Sequence, residues 1–224
     1  MYISSNVRRI FIILATLLLL LSCNKDNPAV DPQPQPEPPT PVAKAPMYVW
    51  IDASANFNNF ANSKATIAKE VNRLAECGFT DLIVDIRPTE GTVLYPSKIA
   101  PEAKRLAAWV GGNYKFVNRT ATWDYLQAFI DAGHAAGLRV NVSLNTFVAG
   151  YGGYYGLESE GPIFLPDGSP GKIPASWATV QNTEDGLKSS FYKGVQGTVF
   201  MNPANPEVQA YVLKIIAELA KYDL

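Results

Sequence analysis

The segment Asp81–Arg87 reads Asp-Leu-Ile-Val-Asp-Ile-Arg. Successive side chains of an extended chain face opposite ways, so Leu82, Val84 and Ile86 share one face and Ile83, Asp85 and Arg87 the other. Leu138–Asn145 repeats the pattern, with Val140, Val142 and Leu144 opposed to Asn141, Ser143 and Asn145. In Met47–Asp52, Trp50 and Asp52 share a face. One face of these strands is therefore apolar, and the other grows polar toward the C-terminal end. A doubly wound sheet is covered by helices on both faces and favours strands that are apolar throughout. The pattern fits instead a (β/α)8 barrel, whose outward residues meet helices and whose upper interior lines an active site.

Helical segments separate the strands. Asn62 or Ser63 can cap a helix carrying Ile67, Val71, Leu74 and Cys77 at helical spacing, ended by Gly78. Thr122 or Asp124 opens a second, with Leu126, Phe129, Ile130 and Gly133 along one side and Gly137 after it. A long Gly- and aromatic-rich stretch then runs to Phe200. Asn205-Pro206 follows as an N-cap with proline at the first helical position, for a helix through about Lys221. The order βαβαβ, a long excursion, then α implies an α/β fold with a parallel sheet. A closed barrel takes about 250 residues, and residues 47–224 hold only about the first three βα units. The expectation is a TIM-type (β/α)8 barrel present in its N-terminal portion.

Ahead of this domain, Arg8-Arg9 precede an apolar run from Ile10 to Leu21, followed at once by Ser22-Cys23. A short basic segment, an apolar core of about 7–15 residues and a small residue before the cut make a secretory signal. The run is shorter than the ~20 apolar residues of a spanning helix. Leu20-Leu21-Ser22-Cys23 resembles the bacterial lipobox, which implies cleavage before Cys23 and diacylation of its sulfur. Residues 1–22 are thus read as a lipoprotein signal peptide. Residues 23–46 are read as the lipidated Cys23 and a tether, because Pro28, Pro32, Pro34, Pro36, Pro38, Pro39, Pro41 and Pro46 impose extended conformations. The expected location is the bacterial cell envelope, lipid-anchored at the outer membrane and facing either the periplasm or the surface. With Cys23 acylated, Cys77 has no intrachain disulfide partner and is expected in the core.

Composition narrows the chemistry. Lys and Arg number 19, Asp and Glu 20. Removing Arg8 and Arg9 with the signal leaves 17 basic against 20 acidic residues and a net charge of −3. No cationic excess is available to track phosphates, so no nucleic acid partner is expected. One His and two Cys supply neither a His-rich metal site nor a four-cysteine zinc site, and no metal or other cofactor is expected. His134, late on its helix, reads as structural. Tyr151-Gly-Gly-Tyr-Tyr reads as a lid and not as a phosphate loop, since no Gly-Lys-Ser/Thr follows. Asp167-Gly168 reads as a hairpin turn.

Gly78-Phe-Thr-Asp-Leu-Ile-Val-Asp-Ile-Arg-Pro88, continuing through Leu94-Tyr-Pro-Ser97, resembles the glycosyl-hydrolase-like family 10. The resemblance continues through Trp123-Asp124, Ala132-Gly-His-Ala-Ala-Gly-Leu138 and the strand ending at Asn145. It resumes at Phe200-Met-Asn-Pro203 and from Pro206-Glu-Val208 to Tyr222-Asp223. It implies bacterial (β/α)8 proteins, often secreted or lipid-anchored, that hydrolyse glycans. Two stretches depart from it. Asn141-Val142-Ser143 stands where the family often has His-Ala-Trp, and Asn145-Thr146-Phe147 where it has Asn-Pro-Tyr. The family's next strand, an Asp-Gly, apolar, Asp segment with an implied carboxylate, would follow Asp223-Leu224.

Glycoside hydrolysis needs a proton donor to the leaving oxygen and a second carboxylate. Asp52, Asp85 and Glu90 are the acids near the strand C-termini and the candidate catalytic groups. Asp85 is best placed, two residues before Arg87 on the same face. An adjacent guanidinium would lower its pKa and favour an ionised role over a general acid. The alternative is a structural Asp–Arg pair at the barrel mouth. Glu90, beside Gly91, reads first as a surface residue, and Asp52 can equally cap the following turn. Candidate substrate-binding residues are Trp50, Arg87, Tyr95, Asn145 and Asn202. Tyr95, Trp109, Tyr114, Tyr151, Tyr154, Tyr155 and Trp177 fall in loops above the strands, where rings suit the C–H faces of sugars. The expected activity is an O-glycosyl hydrolase acting on extracytoplasmic polysaccharide or peptidoglycan-type glycan, inactive as this segment alone. The other reading is a glycan-binding lipoprotein without catalysis, which shares the aromatic loops and needs no acid pair.

Overall fold

Polar residues ahead of apolar runs start each of the four described helices. Asp52 accepts from the Ala55 amide to open α1 (Ala53–Phe60), and Ser63 accepts from Thr66 to open α2 (Lys64–Glu76). Asp124 accepts from Gln127 at the head of α3 (Tyr125–Ala135), and Asn205 from Glu207 at the head of α4 (Pro206–Leu219), with Pro206 in its first turn. Such caps contribute about 1 kcal/mol each. The structure is a computed structural model and describes residues 45–152, 173–189 and 197–224. Cys23, Tyr154, Tyr155 and Asp167-Gly168 lie outside them.

The strands are β1 (Tyr48–Ile51), β2 (Asp81–Arg87), β3 (Arg105–Val110), β4 (Asn113–Asn118), β5 (Arg139–Leu144), β6 (Val148–Gly152), β7 (Val180–Thr183), β8 (Gly186–Ser189) and β9 (Gly197–Phe200). Strands β1, β2 and β5 form a parallel sheet in that order, with Tyr48, Asp81 and Arg139 in register. Its apolar face, with Leu82, Val84 and Val140, belongs to one core with Ile67 and Val71 of α2 and Leu126, Phe129 and Ile130 of α3. The other face leaves Tyr48, Trp50 and Asn141 exposed. Gly133 lets α3 approach the sheet closely, since a Cβ there would collide with Cγ2 of Val140. The parallel strands and intervening helices are those the alternating pattern implied.

Other elements occupy segments that read as loops. Helix α1 escapes sequence reading because Ala-Ser-Ala-Asn-Phe-Asn-Asn-Phe is rich in weak helix formers. It is held by its Asp52 cap and by the burial of Phe57 and Phe60. The antiparallel hairpin β3–β4 reverses at Gly111-Gly112, both at positive φ (59° and 85°). In the long stretch to Phe200, β6 pairs antiparallel with β9, and β7 with β8. Tyr151 and Gly152, expected in a lid, belong to β6. A second core of Ala149, Ile173, Val199 and Met201 includes Val208 of α4, while Ile215 and Leu219 of the same helix join the main core. Cys77, expected in the core, is exposed: α2 ends at Glu76, and the thiol sits at the C-cap beyond the buried stripe.

Candidate active site

The β1–β2 register ends with Ile51 opposite Val84, and Asp52 keeps an extended backbone (φ −63°, ψ 129°). Asp52 and Asp85 are therefore the next neighbours along the C-terminal edge of the sheet, with Ser143 of β5 opposite Asp85 on the other side. Their environments differ. Asp52 is exposed and its Oδ1 accepts from the Ala55 amide at 2.6 Å. Asp85 is 6% exposed, and its Oδ1 has no hydrogen-bond partner among the described residues. Burial pushes the Asp85 carboxyl up to about 6, and the negative charge of Asp52 pushes the same way. The amides of Arg87 and Ala53 offset part of that rise.

Tyr125, the first residue of α3, completes the group. It is buried, and its hydroxyl has no partner among the described residues. Burial raises its pKa, the charge of Asp85 adds to this, and the Arg119 guanidinium opposes it, so the phenol stays protonated. Arg119 is itself buried. It donates to Glu102 Oε1 (3.1 Å) and to the carbonyls of Ala121 (2.8 Å) and Trp123, fastening the loop that leads into α3. Sequence reasoning passed over Tyr125 and Arg119. The only signal for Tyr125 is its place directly after the Asp124 cap at the top of the sheet.

Arg87 does not pair with Asp85. A register shift between Asp85 and Arg87 sets both opposite the adjacent residues Ser143 and Leu144, so the simple alternation fails there. The guanidinium is fully buried and donates to the carbonyls of Asn145, Thr146 (3.3 Å) and Val148 (2.6 Å), where the chain passes from β5 into β6. Asp85 thus lacks the cation that was expected to depress its pKa, and burial moves it upward instead. Burial also lowers the pKa of Arg87, against the opposing effect of the Tyr211 and Tyr95 phenols.

The remaining candidates are spread out. Glu90, read as a surface residue, is 5% exposed, in the turn that Gly91 closes by donating to the Pro88 carbonyl. Tyr95 is fully buried, edge-on to Tyr222 with ring centroids 6.0 Å apart. Its hydroxyl and that of Ser97 both donate to Glu218 Oε2 of α4 (3.4 and 2.5 Å), so Tyr95 is a strut and offers no face to a sugar. Asn145 has an exposed side chain, its backbone held by Arg87. Asn202 spends its Oδ1 on the Ala204 amide (3.0 Å), in the turn that leads to α4. Trp50 is 56% exposed and lines a groove of about 510 Å³ with Asn56, Asn59, Glu70 and Arg73. Trp177 donates to Glu207 Oε2 at 2.7 Å, and His134 stands 3.7 Å from Asp223. The structure brings together Asp52 and Asp85, adds Tyr125, and separates them from Arg87 and Tyr95.

Residues 47–224 match the model of the family described as Glycosyl hydrolase-like 10. The chain belongs to that family. Among curated relatives it is 27% identical to glycosyl hydrolase DigH of Escherichia coli K12 over 233 residues, covering 95% of this chain and 48% of DigH. The figures for DigH of Shigella flexneri are the same. It is 28% identical over 181 residues to an S-layer-related protein of Niallia circulans, covering 79% of this chain and 10% of that protein. The chain thus spans about half the length of DigH and a tenth of the S-layer-related protein.

Proposed function

We propose that this chain supplies the first strand–helix units of a (β/α)8 barrel that hydrolyses extracytoplasmic glycan, held at the cell envelope by a lipid on Cys23. Membership of a glycosyl hydrolase-like family and the name glycosyl hydrolase carried by DigH support the reaction class. The parallel β1–β2–β5 sheet, covered by helices on one face and open on the other, supports the barrel.

The carrying observation is the split pair of carboxyls at the C-terminal edge. Asp85, buried and titrating at about 6, is suited to hold a proton and deliver it to the leaving glycosidic oxygen. Asp52, exposed beside it, is the carboxylate available to the opposite step, as nucleophile or as base for water. Pairs whose environments push their pKa values apart are how one site runs both acid and base chemistry. Tyr125 borders Asp85 as a neutral hydroxyl. The substrate class of this reading is a polysaccharide or peptidoglycan-type glycan.

The test is turnover of purified peptidoglycan and of neutral polysaccharides by the protein its gene encodes, followed by the release of reducing ends. Asp85→Asn is expected to abolish turnover and leave substrate binding. Binding without turnover in the wild type would favour the glycan-binding lipoprotein instead.

A further inference from the structure

The β3–β4 hairpin is inserted in the connection that leaves the strand of Asp85, and β3 packs on α1, the helix that Asp52 caps. Its inward side chains Leu106 and Ala108 are buried in the main core. Its outward face carries Ala107 opposite Phe116, and Trp109 opposite Tyr114. Arg105 lies over the Phe116 ring at 4.0 Å. Trp109 and Tyr114 meet edge to face, centroids 5.2 Å apart and planes at 77°, yet remain 53% and 46% exposed.

A cross-strand aromatic pair stabilises a hairpin, but that role does not require half of each ring in water. The two rings meet near a right angle, and the small Ala107 is the next residue along the same face. Arg105 and the exposed Asn118, paired across the hairpin, share this outward face beyond Ala107 and Phe116. Two half-exposed rings fall far short of the roughly 20–30 residues a side of a stable protein interface. A right-angled pair of amphipathic rings with polar neighbours suits one pyranose unit, its C–H face on a ring and its hydroxyls toward the rim.

We infer that the outer face of the β3–β4 hairpin is a polysaccharide-binding subsite, in which Trp109 and Tyr114 hold one sugar of the chain cleaved at the Asp52–Asp85 site. The inference rests on the glycosidase reading of that site. The hairpin grips the polymer while the carboxyl pair acts elsewhere along it.

Co-sedimentation with purified peptidoglycan sacculi and with insoluble chitin tests the subsite, on the lipidated protein in detergent. The wild type is expected to sediment with at least one of the two. Trp109→Ala and Tyr114→Ala each weaken binding about fivefold, and the double substitution more than about tenfold. Trp109→Phe, which keeps a ring, restores most of the affinity. Asp85→Asn loses turnover and still sediments. If Asp85→Asn keeps turnover while the hairpin variants lose sedimentation, the active-site reading falls and the subsite stands. A wild type that sediments with neither polymer, or a double variant with unchanged affinity, overturns the subsite. So does loss of binding to phosphatidylethanolamine–phosphatidylglycerol vesicles with polysaccharide binding intact, which would make the pair a membrane contact.

Discussion

Asp52 and Asp85 fall side by side on neighbouring parallel strands, one capping a helix in water and the other buried with an oxygen that has no partner among the described residues. The exposed charge makes the buried one harder to ionise. Both residues follow from the polar ends of their strands, but their inequality comes from α1. That helix holds Asp52 at its exposed N-terminus, while Asp85 is buried.

This inequality has a pH signature. Asp85 titrates at about 6 in the folded protein against 3.8 unperturbed, so its folded pKa is raised. Its protonated form therefore stabilises the fold fully below the unfolded pKa, and that contribution is lost as pH rises through 6. The shift corresponds to ~3 kcal/mol by linkage. Asp85→Asn, which keeps the shape without the charge, is expected to gain about that much at about pH 8 and nothing at about pH 4. Urea unfolding at the two pH values checks it. A gain equal at both would show that the carboxyl's charge is not its source.

Asp52 has two roles that substitution can separate. Asn caps a helix as well as Asp does, whereas Ala costs about 1 kcal/mol at such a position. Asp52→Asn should leave α1 intact and lower the Asp85 pKa, because the neighbouring charge is gone. Asp52→Ala should lower it equally and also destabilise the protein. The Asp85 carboxyl carbon, followed by NMR through a pH titration, gives the first effect, and thermal unfolding the second. An Asp85 midpoint that stays in place in both variants would separate the two residues electrostatically.

The sequence makes the parallel sheet and three of its helices readable because their signals are local. Ser63, Asp124 and Asn205 are caps with apolar residues at helical spacing behind them. Helix α1 carries its apolar anchors Phe57 and Phe60 among three asparagines, so tertiary burial decides it. In the candidate site, the closeness of Asp52 and Asp85 is legible from the strand pattern, while their electrostatics are not. Strict alternation puts Asp85 and Arg87 on one face, but the register shift between them and the carbonyls of Asn145, Thr146 and Val148 redirect the guanidinium. Tyr95 looked like a loop aromatic for the same reason: nothing near it in sequence announces Glu218 or Tyr222.

Arg87 is expected to act on stability before it acts on glycan. Its guanidinium reaches three backbone carbonyls that no lysine can span together. Arg87→Met removes charge-assisted hydrogen bonds worth about 1.5–3 kcal/mol and takes from the buried Val148 carbonyl its guanidinium donor. Arg87→Lys should recover only part of the loss. Urea midpoints of the two variants provide the measurement. A wild-type midpoint in Arg87→Met would mean that these carbonyls find other donors.

The anchor proposed at Cys23 gives a prediction independent of the fold. Only the thiol of Cys23 can take the lipid, so Cys23→Ser removes the acceptor atom and keeps the size of the side chain. In a bacterial host fed a radiolabelled fatty acid, the wild type should carry label and partition with membranes. The variant should carry none and should either retain residues 1–22 or be released in soluble form. The Pro-rich segment 24–46 remains unaltered, so release would be due to the missing lipid and not to a change in the tether. A single acyl chain holds a protein only marginally at a membrane, while paired chains anchor it stably. Partitioning that resists high salt in the wild type and vanishes in the variant is therefore the expected result. Label at the wild-type level in Cys23→Ser would overturn the lipoprotein reading.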